Sequence, residues 1–163
     1  MAETVLDRLP TRTELQAYRC FLRAHARVTR CLDGQLRAEQ ELTLAAYDVL
    51  DALAERRERG LRMTELADAV LLSRSGVTRL VDRMERLGLV RRVRVRGDGR
   101  GVLARITDEG LERLRTAART HRDGLARHFA CAAPADELRA LARACAQLAD
   151  GGVPAPPGHR ADV

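Results

Sequence analysis

From Ser73 to Arg86 the chain reads SRSGVTRLVDRMER, and its polar residues recur so as to share one side of a helix. At about 100° per residue, Ser75, Arg79, Asp82 and Arg86 fall opposite the apolar stripe Val77, Leu80, Val81, Met84 and Leu87, with Thr78 and Arg83 at the flanks. These residue types suit the edges of base pairs. A guanidinium offers two parallel donors to guanine O6 and N7, while Ser and Thr hydroxyls bond bases or phosphates and the Thr methyl can meet thymine. Ser73 is a good N-cap, and the free N–H groups behind it suit a phosphate oxygen. Ser73, Arg74, Ser75, Thr78, Arg79 and Arg83 are therefore the expected DNA contacts of a recognition helix, whose N-terminal half meets the groove. Asp82 is out of place on a face meant for a polyanion. It lies three residues after Arg79 and four before Arg86, so either it pairs with both arginines along the helix or it stands solvated beyond the contacted half.

A second basic element follows at once. Val93 and Val95 alternate with Arg92, Arg94 and Arg96, and Val102, Ala104 and Ile106 alternate with Leu103 and Arg105. Gly97-Asp98-Gly99 lies between the two runs, so the segment is expected to form a β-hairpin with an apolar face on the domain and an arginine face outward. At its tip Arg100, flanked by glycines, is narrow enough to enter a minor groove, with Asp98 placed to brace it.

These groups need elements to hold them. Gly88 is placed to end the recognition helix and fold Leu89 back onto Met84. A short helix starting at Thr64 and burying Leu66, Ala67 and Val70 precedes the turn Leu71-Leu72-Ser73, and the pair has the spacing of a helix-turn-helix. Upstream, Thr43 caps a helix carrying Leu44, Tyr47, Val49, Leu50 and Leu53 that is expected to end at Gly60. From Thr13 to Leu36 the positions Leu15, Tyr18, Leu22, His25, Thr29, Leu32 and Leu36 form a seam with a period near 3.5. Downstream, Thr107 caps a long helix with the stripe Leu111, Leu114, Ala118, His121, Leu125 and His128. Pro134 then opens a last helix at its first turn, with Leu138, Leu141, Cys145 and Leu148 on one side. The expected class is mainly α with a small β-hairpin wing, a winged helix-turn-helix flanked by N- and C-terminal dimerisation helices. The flanking stripes exceed what so small a head can cover, and a second copy would bury them, so a homodimer is expected.

Composition narrows the class. All 29 cationic residues are Arg, with no Lys, and the formal net charge is +6. Such wholesale Arg use is weak evidence by itself, but residues 56 to 105 hold 14 Arg against 6 acids, an excess of +8 that leaves the rest of the chain at −2. Charge concentrated in one third of the chain is the footprint of a nucleic-acid binder. No apolar stretch approaches the roughly 18 residues of a membrane span, and no leader-like run opens the chain, so a cytoplasmic protein with reduced thiols is expected. No catalytic residues are expected, since nucleophile-elbow, phosphate-loop and paired-carboxylate motifs are missing from the sequence. No cofactor and no metal are expected either: Cys20 and Cys31 would stand about 16 Å apart along one helix, and His121 and His128 about 10 Å.

The stretches LTLAAYDVLDAL, MTELADAVLLSRSGVTRLVDRMERLGLVRR and GDGRGVLARITDEG resemble the MarR family of dimeric winged-helix transcription regulators. The likeness spans about Thr13 to Leu148 and is most specific in Asp98-x-Arg100 followed by Thr107-x-x-Gly110. It implies a MarR-type domain over 13–150 after an N-terminal arm over 1–12; the tail over 151–163, which has no apolar periodicity and holds three of the five prolines, is expected to be disordered from its composition. Within that domain, dimerisation helices take about 13–36 and 108–149, and the winged helix-turn-helix about 43–107. It also implies that Arg100 is the wing arginine and Asp98 its brace, and that the chain binds a pseudo-palindromic double-stranded DNA operator as a repressor released by a small ligand. For a phenolic or carboxylate effector, Tyr18, His25 and Tyr47 are the candidate contacts. Thiol-sensing members keep a reactive cysteine broadly where Cys20 lies, between Arg19 and Arg23, which could lower its pKa; the alternative is a buried, inert Cys20. A rival of another class is a protein-interaction adaptor whose winged helix ignores DNA sequence.

Overall fold

The computed structural model describes residues 9–94 and 101–150. The expected Asp98 and Arg100 pair at the wing tip, and the tail over 151–163, lie outside the described residues. Thr11 opens helix α1 (Arg12–Gln40) through a reciprocal cap, its hydroxyl accepting from the Glu14 N–H while the Glu14 carboxylate accepts from the Thr11 N–H at 2.7 Å. The helix starts one residue earlier and runs a turn further than its apolar seam implies, ending where Glu41 turns left-handed at φ 50°. Leu32 and Leu36 on its C-terminal half are buried. On its N-terminal half Leu15, Tyr18, Phe21 and Leu22 are exposed.

Helix α2 (Leu44–Glu55) begins at the Thr43 cap, as expected, and α1 helps to start it: Asp33 accepts from the Leu44 N–H at 2.9 Å. It stops at Glu55, short of the expected Gly60. The chain turns there, and Gly60 leads into a two-residue strand β1 (Leu61–Arg62), which sequence reading missed. Helix α3 (Met63–Ala69) takes Arg62 as its N-cap, two residues ahead of the expected Thr64, with the Glu65 carboxylate accepting from the Arg62 N–H at 2.7 Å. A turn leads to α4 (Arg74–Arg86), and the strands β2 (Val90–Arg94) and β3 (Val102–Ile106) follow. They form a three-stranded antiparallel sheet of order β1-β3-β2, not the expected two-stranded ribbon. Helix α5 (Asp108–His128), a 3-10 turn and α6 (Ala135–Ala149) complete the described chain, with Pro134 standing just outside α6 as its N-cap.

The core lies where α2, α3, α4 and the sheet meet the lower half of α1 and the start of α5. Leu36, Val49, Leu50, Leu53, Leu66, Val77 and Val81 are fully buried there, each stabilising the fold by about 1.5–3 kcal/mol relative to exposure. Helix α5 buries Leu114, Ala117, Thr120 and Gly124. Of the expected stripe only Leu114 is buried, while Leu111, Ala118, His121, Leu125 and His128 are half-buried. Small residues win the inner positions because α1 packs close against them. A polar ladder ties that contact: Gln40 donates to the Thr120 hydroxyl at 2.9 Å, which donates to Glu39 at 3.1 Å. The architecture is the expected one, a mostly helical chain with a small sheet and a winged helix-turn-helix set between long helices.

Candidate nucleic-acid interface

Helix α4 is aimed by its two faces. Val77, Val81 and Met84 anchor it in the core, while Arg74, Ser75, Thr78, Arg79, Asp82, Arg83 and Arg86 are exposed on the outside. Leu87, expected on the buried stripe, is 61% exposed because it sits at the C-cap, beyond the last packed turn. At the other end the Ser73 hydroxyl accepts from the Gly76 N–H at 3.1 Å, as expected of a cap. The Thr78 hydroxyl donates back to the Arg74 carbonyl at 2.9 Å, which leaves its oxygen able to accept from a partner.

The exit of α4 is closed by a left-handed glycine. Gly88 at φ 73° lets the Leu89 N–H bond the Met84 carbonyl at 3.0 Å and the Gly88 N–H bond the Glu85 carbonyl at 3.0 Å, the paired closure of a Schellman turn. Leu89 folds inward and is buried, as expected. Thr107 then staples this turn to α5: its hydroxyl donates to the Gly88 carbonyl at 2.7 Å and accepts from the Gly110 N–H at 3.0 Å, and its own N–H reaches the Leu89 carbonyl at 3.1 Å. Gly110 packs directly against the Leu89 backbone. A Cβ there would stand 2.1 Å from the Leu89 carbonyl oxygen.

The sheet corrects the expected phase of the wing. Val90 pairs with Ile106, Arg92 with Ala104 and Arg94 with Val102, so these six residues share a face, and Arg91, Val93, Leu103 and Arg105 take the other. Val90, Ala104 and Ile106 are buried, so Arg92 lies on the domain side and Val93 does not. Both strands alternate, but β2 was expected one residue out of step with β3, and a one-residue slip exchanges the faces.

That placement also resolves Asp82. It pairs with Arg92 of β2 at 2.6 Å, and neither Arg79 nor Arg86 takes an ion-pair partner among the described residues. Arg92 bonds Glu85 at 2.6 Å as well, its backbone N–H meets the same carboxylate at 2.9 Å, and a guanidinium N–H reaches the Thr78 carbonyl at 3.5 Å. Burial works against the guanidinium charge, but bonds to Asp82 and Glu85 outweigh it and raise the Arg92 pKa. These contacts of Arg92 with Asp82 and Glu85 were not expected from the sequence. The clue in the sequence was the pair of acids Asp82 and Glu85 on a helix otherwise set for a polyanion.

The expected effector residues are not gathered in one chain. Tyr18 is 60% exposed, and exposed His25 stacks on Phe21 at 6.4 Å on the free half of α1. Tyr47 is buried on α2 and stacks on His121 of α5 at 4.3 Å. Cys20 is exposed on α1. Beside Tyr47, a cleft of about 290 Å³ between α2 and the turn before α4 is lined by Asp48, Asp51, Ala52, Glu55, Ala69, Val70 and Leu71. Burial, and then neighbouring Asp51, pushes the Asp48 carboxyl up to about 6. Burial likewise raises the Tyr47 pKa, with help from Asp51 and Asp48 and against Arg122, and lowers that of His121 against the pull of Asp51. Among the described residues no helix is long and apolar enough to cross a membrane, and no three His, Cys, Asp or Glu side chains gather as metal ligands.

The raised Asp48 pKa has a thermodynamic sign. The folded chain holds this proton up to about pH 6, whereas a free Asp releases it near 3.8, so the ionised carboxylate costs stability above that range and the cost fades as pH falls from about 6 towards 4. Asp48→Asn is therefore expected to melt at a higher temperature than the wild type at pH 7.5, to keep only about a third of that advantage at pH 4.5 and to lose the rest below the free value of 3.8. Thermal melts of the two proteins across this range check it; a constant difference at every pH would mean Asp48 titrates normally.

A helix-turn-helix whose second helix turns a cationic, hydroxyl-rich face to solvent beside an antiparallel wing stem defines a DNA-binding winged-helix protein. Comparison with known proteins narrows the class. The MarR family model matches residues 40–101. Sco3205, a MarR family transcriptional regulator from Streptomyces coelicolor solved in complex with DNA, is 33% identical with a TM-score of 0.82, over 93% of this chain and 95% of that one. AbsC, a MarR family transcriptional regulator from the same organism, is 34% identical with a TM-score of 0.77, over 88% and 96%. The HTH-type transcriptional regulator PecS of Dickeya dadantii (strain 3937) is 29% identical over 98 residues, 58% of this chain and 57% of PecS, so the match takes in little more than half of that relative. The chain belongs to the MarR family of transcriptional regulators.

Proposed function

We propose that the protein is a homodimeric, ligand-released repressor that reads a pseudo-palindromic operator in double-stranded DNA. The observation that carries this reading is the exposed outer face of α4, where cations and hydroxyls stand clear of a buried apolar face beside the wing stem. In it Arg79, Ser75 and Thr78 meet base edges, and Ser73, Arg74 and Arg83 hold phosphates. From the wing, Arg100 enters the minor groove and Asp98 braces it, the roles the family resemblance assigns. Sco3205, which shares the fold at 33% identity, was solved bound to DNA.

The dimer part rests on uncovered apolar surface. Leu15, Tyr18, Phe21 and Leu22 on α1, with Phe129, Leu141 and Leu148 around α6, are exposed in the single chain, more than an isolated soluble chain ordinarily leaves open. A second copy covers them and spaces two α4 helices for two half-sites. In this reading the dimer also brings a phenolic or carboxylate effector to Tyr18, His25 and Tyr47, and domain limits of 13–150 follow from the helices that build it. Phe21→Asp with Leu22→Asp is expected to yield monomers in sedimentation at micromolar concentration, with operator affinity lost at least ten-fold; a dimer of unchanged stability would remove these helices from the interface.

Selection of genomic fragments on the purified protein tests the function directly. A recurrent inverted repeat, bound with steep salt dependence, is the expected result. Binding without sequence preference would return the chain to the adaptor reading.

A further inference from the structure

Arg92 does not take the outward position expected of the wing arginines. It lies on the inner face of β2 opposite fully buried Ala104, its side chain 26% exposed, and makes contacts to three residues of α4: Asp82, Glu85 and the Thr78 carbonyl. Those three residues lie at helical spacing along the side of α4 that faces the sheet and the groove, so one guanidinium spans nearly two turns of the recognition helix. The backbone joining α4 to β2 is only the short Leu87–Leu89 turn, so side-chain contacts between helix and strand add to the turn's own bonds in setting their angle. Beside the apolar packing of Val77, Val81 and Val90, Arg92 adds polar contacts through two nitrogens and its backbone N–H. The planar fork is what lets one residue hold two carboxylates at 2.6 Å each. The same bonds hold a guanidinium charge against both carboxylates, next to the arginine side of α4.

We propose that Arg92 is a positioning residue for DNA recognition: by clamping Asp82 and Glu85 it locks the wing stem to the recognition helix and offsets part of their negative charge beside the approaching phosphates, so that helix and wing read DNA as one rigid head. The proposal rests on the DNA-binding reading above. Clamping and charge offset are separable. Geometry governs how much better the operator binds than random DNA, whereas bare carboxylates weaken binding to every sequence.

Three variants test it against the wild type: R92A, R92K and the triple R92A/D82N/E85Q. Affinity is measured for a selected operator and for random duplex over a range of salt, with thermal melts to establish folding. The expected result is that R92A and R92K each lose at least ten-fold in the operator-to-random ratio, R92A also weakening on random DNA. The triple variant regains wild-type affinity for random duplex without regaining the ratio, because its acids are gone but its clamp is not restored. R92K keeps the charge and one ion pair, so it carries the test if R92A fails to fold. A wild-type ratio in R92K or in folded R92A overturns the proposal, and so does a triple variant that recovers the full ratio, since Arg92 would then only screen charge. A wild type that prefers no sequence is a different failure, and sinks the DNA-binding reading itself.

Discussion

Gly110→Ala is expected to lower the melting temperature by roughly 2–12 °C, the range that follows from an overpacking cost of about 1–3 kcal/mol in a chain of this size. The added methyl would sit 2.1 Å from the Leu89 carbonyl oxygen and 2.9 Å from an Ile106 side-chain carbon. A backbone carbonyl cannot rotate aside as a side chain can. Leu89 is held on both sides, its N–H by the Met84 carbonyl and its carbonyl by the Thr107 N–H, so relief must come from shifting the exit of α4, the start of β2 or the start of α5. Each of these moves also shifts the wing against the recognition helix. Operator affinity is therefore expected to fall together with stability even though Gly110 is buried and forms no part of the exposed face of α4. Calorimetry with a parallel binding titration checks both; an unchanged melt would show that the turn yields freely and that the close approach is incidental.

Arg79→Ala is expected to weaken operator binding by about 1–3 kcal/mol, or about 5- to 150-fold, and to relax preference at one base position in each half-site. Arg79 is exposed, takes no ion-pair partner among the described residues, and projects from the N-terminal half of α4. Its removal strands no acid, so the change reads the lost contact and not a rearranged network. Arg115→Ala makes a suitable control, because Arg115 is an exposed cation on α5 paired with Glu112 and should leave affinity unchanged. If Arg79→Ala keeps both the affinity and the base preference of the wild type, α4 is not the reading element.

The contrast between Arg79 and Arg92 shows how the two kinds of site differ in legibility. Arg79 could be placed from its own helix: Val77, Val81 and Met84 define the buried side, and about 100° per residue does the rest. Arg92 could not. Alternation along β2 is compatible with either phase, and the choice was made by the pairing of Val90 with Ile106 and Arg92 with Ala104, a contact between strands separated by the wing tip. Once that register turned Arg92 inward, Asp82 found its partner ten residues away instead of three or four. For Tyr47, one of the effector candidates, the same limit applies. Tyr47 and His121 meet in a stack at 4.3 Å from two helices far apart in the chain, and nothing local in either helix announces the pair.

The sequence by itself determined the features set within a turn of helix. Thr43, Ser73 and Thr107 each accept the N–H three residues on, and Gly88 closes α4 in the left-handed region, because caps and C-terminal glycines answer to bonds spanning three to five residues. The order of elements, the outward face of α4 and the family resemblance followed from the same short-range signals. Tertiary structure alone decided the rest: strand β1, which at two residues has no pattern of its own and exists through pairing with β3; the phase of the wing; the inner face of α5, where close approach of α1 favoured Ala117, Thr120 and Gly124 over larger neighbours; and the clamp of Arg92 on Asp82 and Glu85. In each case the deciding contact joins segments distant in the chain, and its energy depends on a register or a crossing that no single segment encodes.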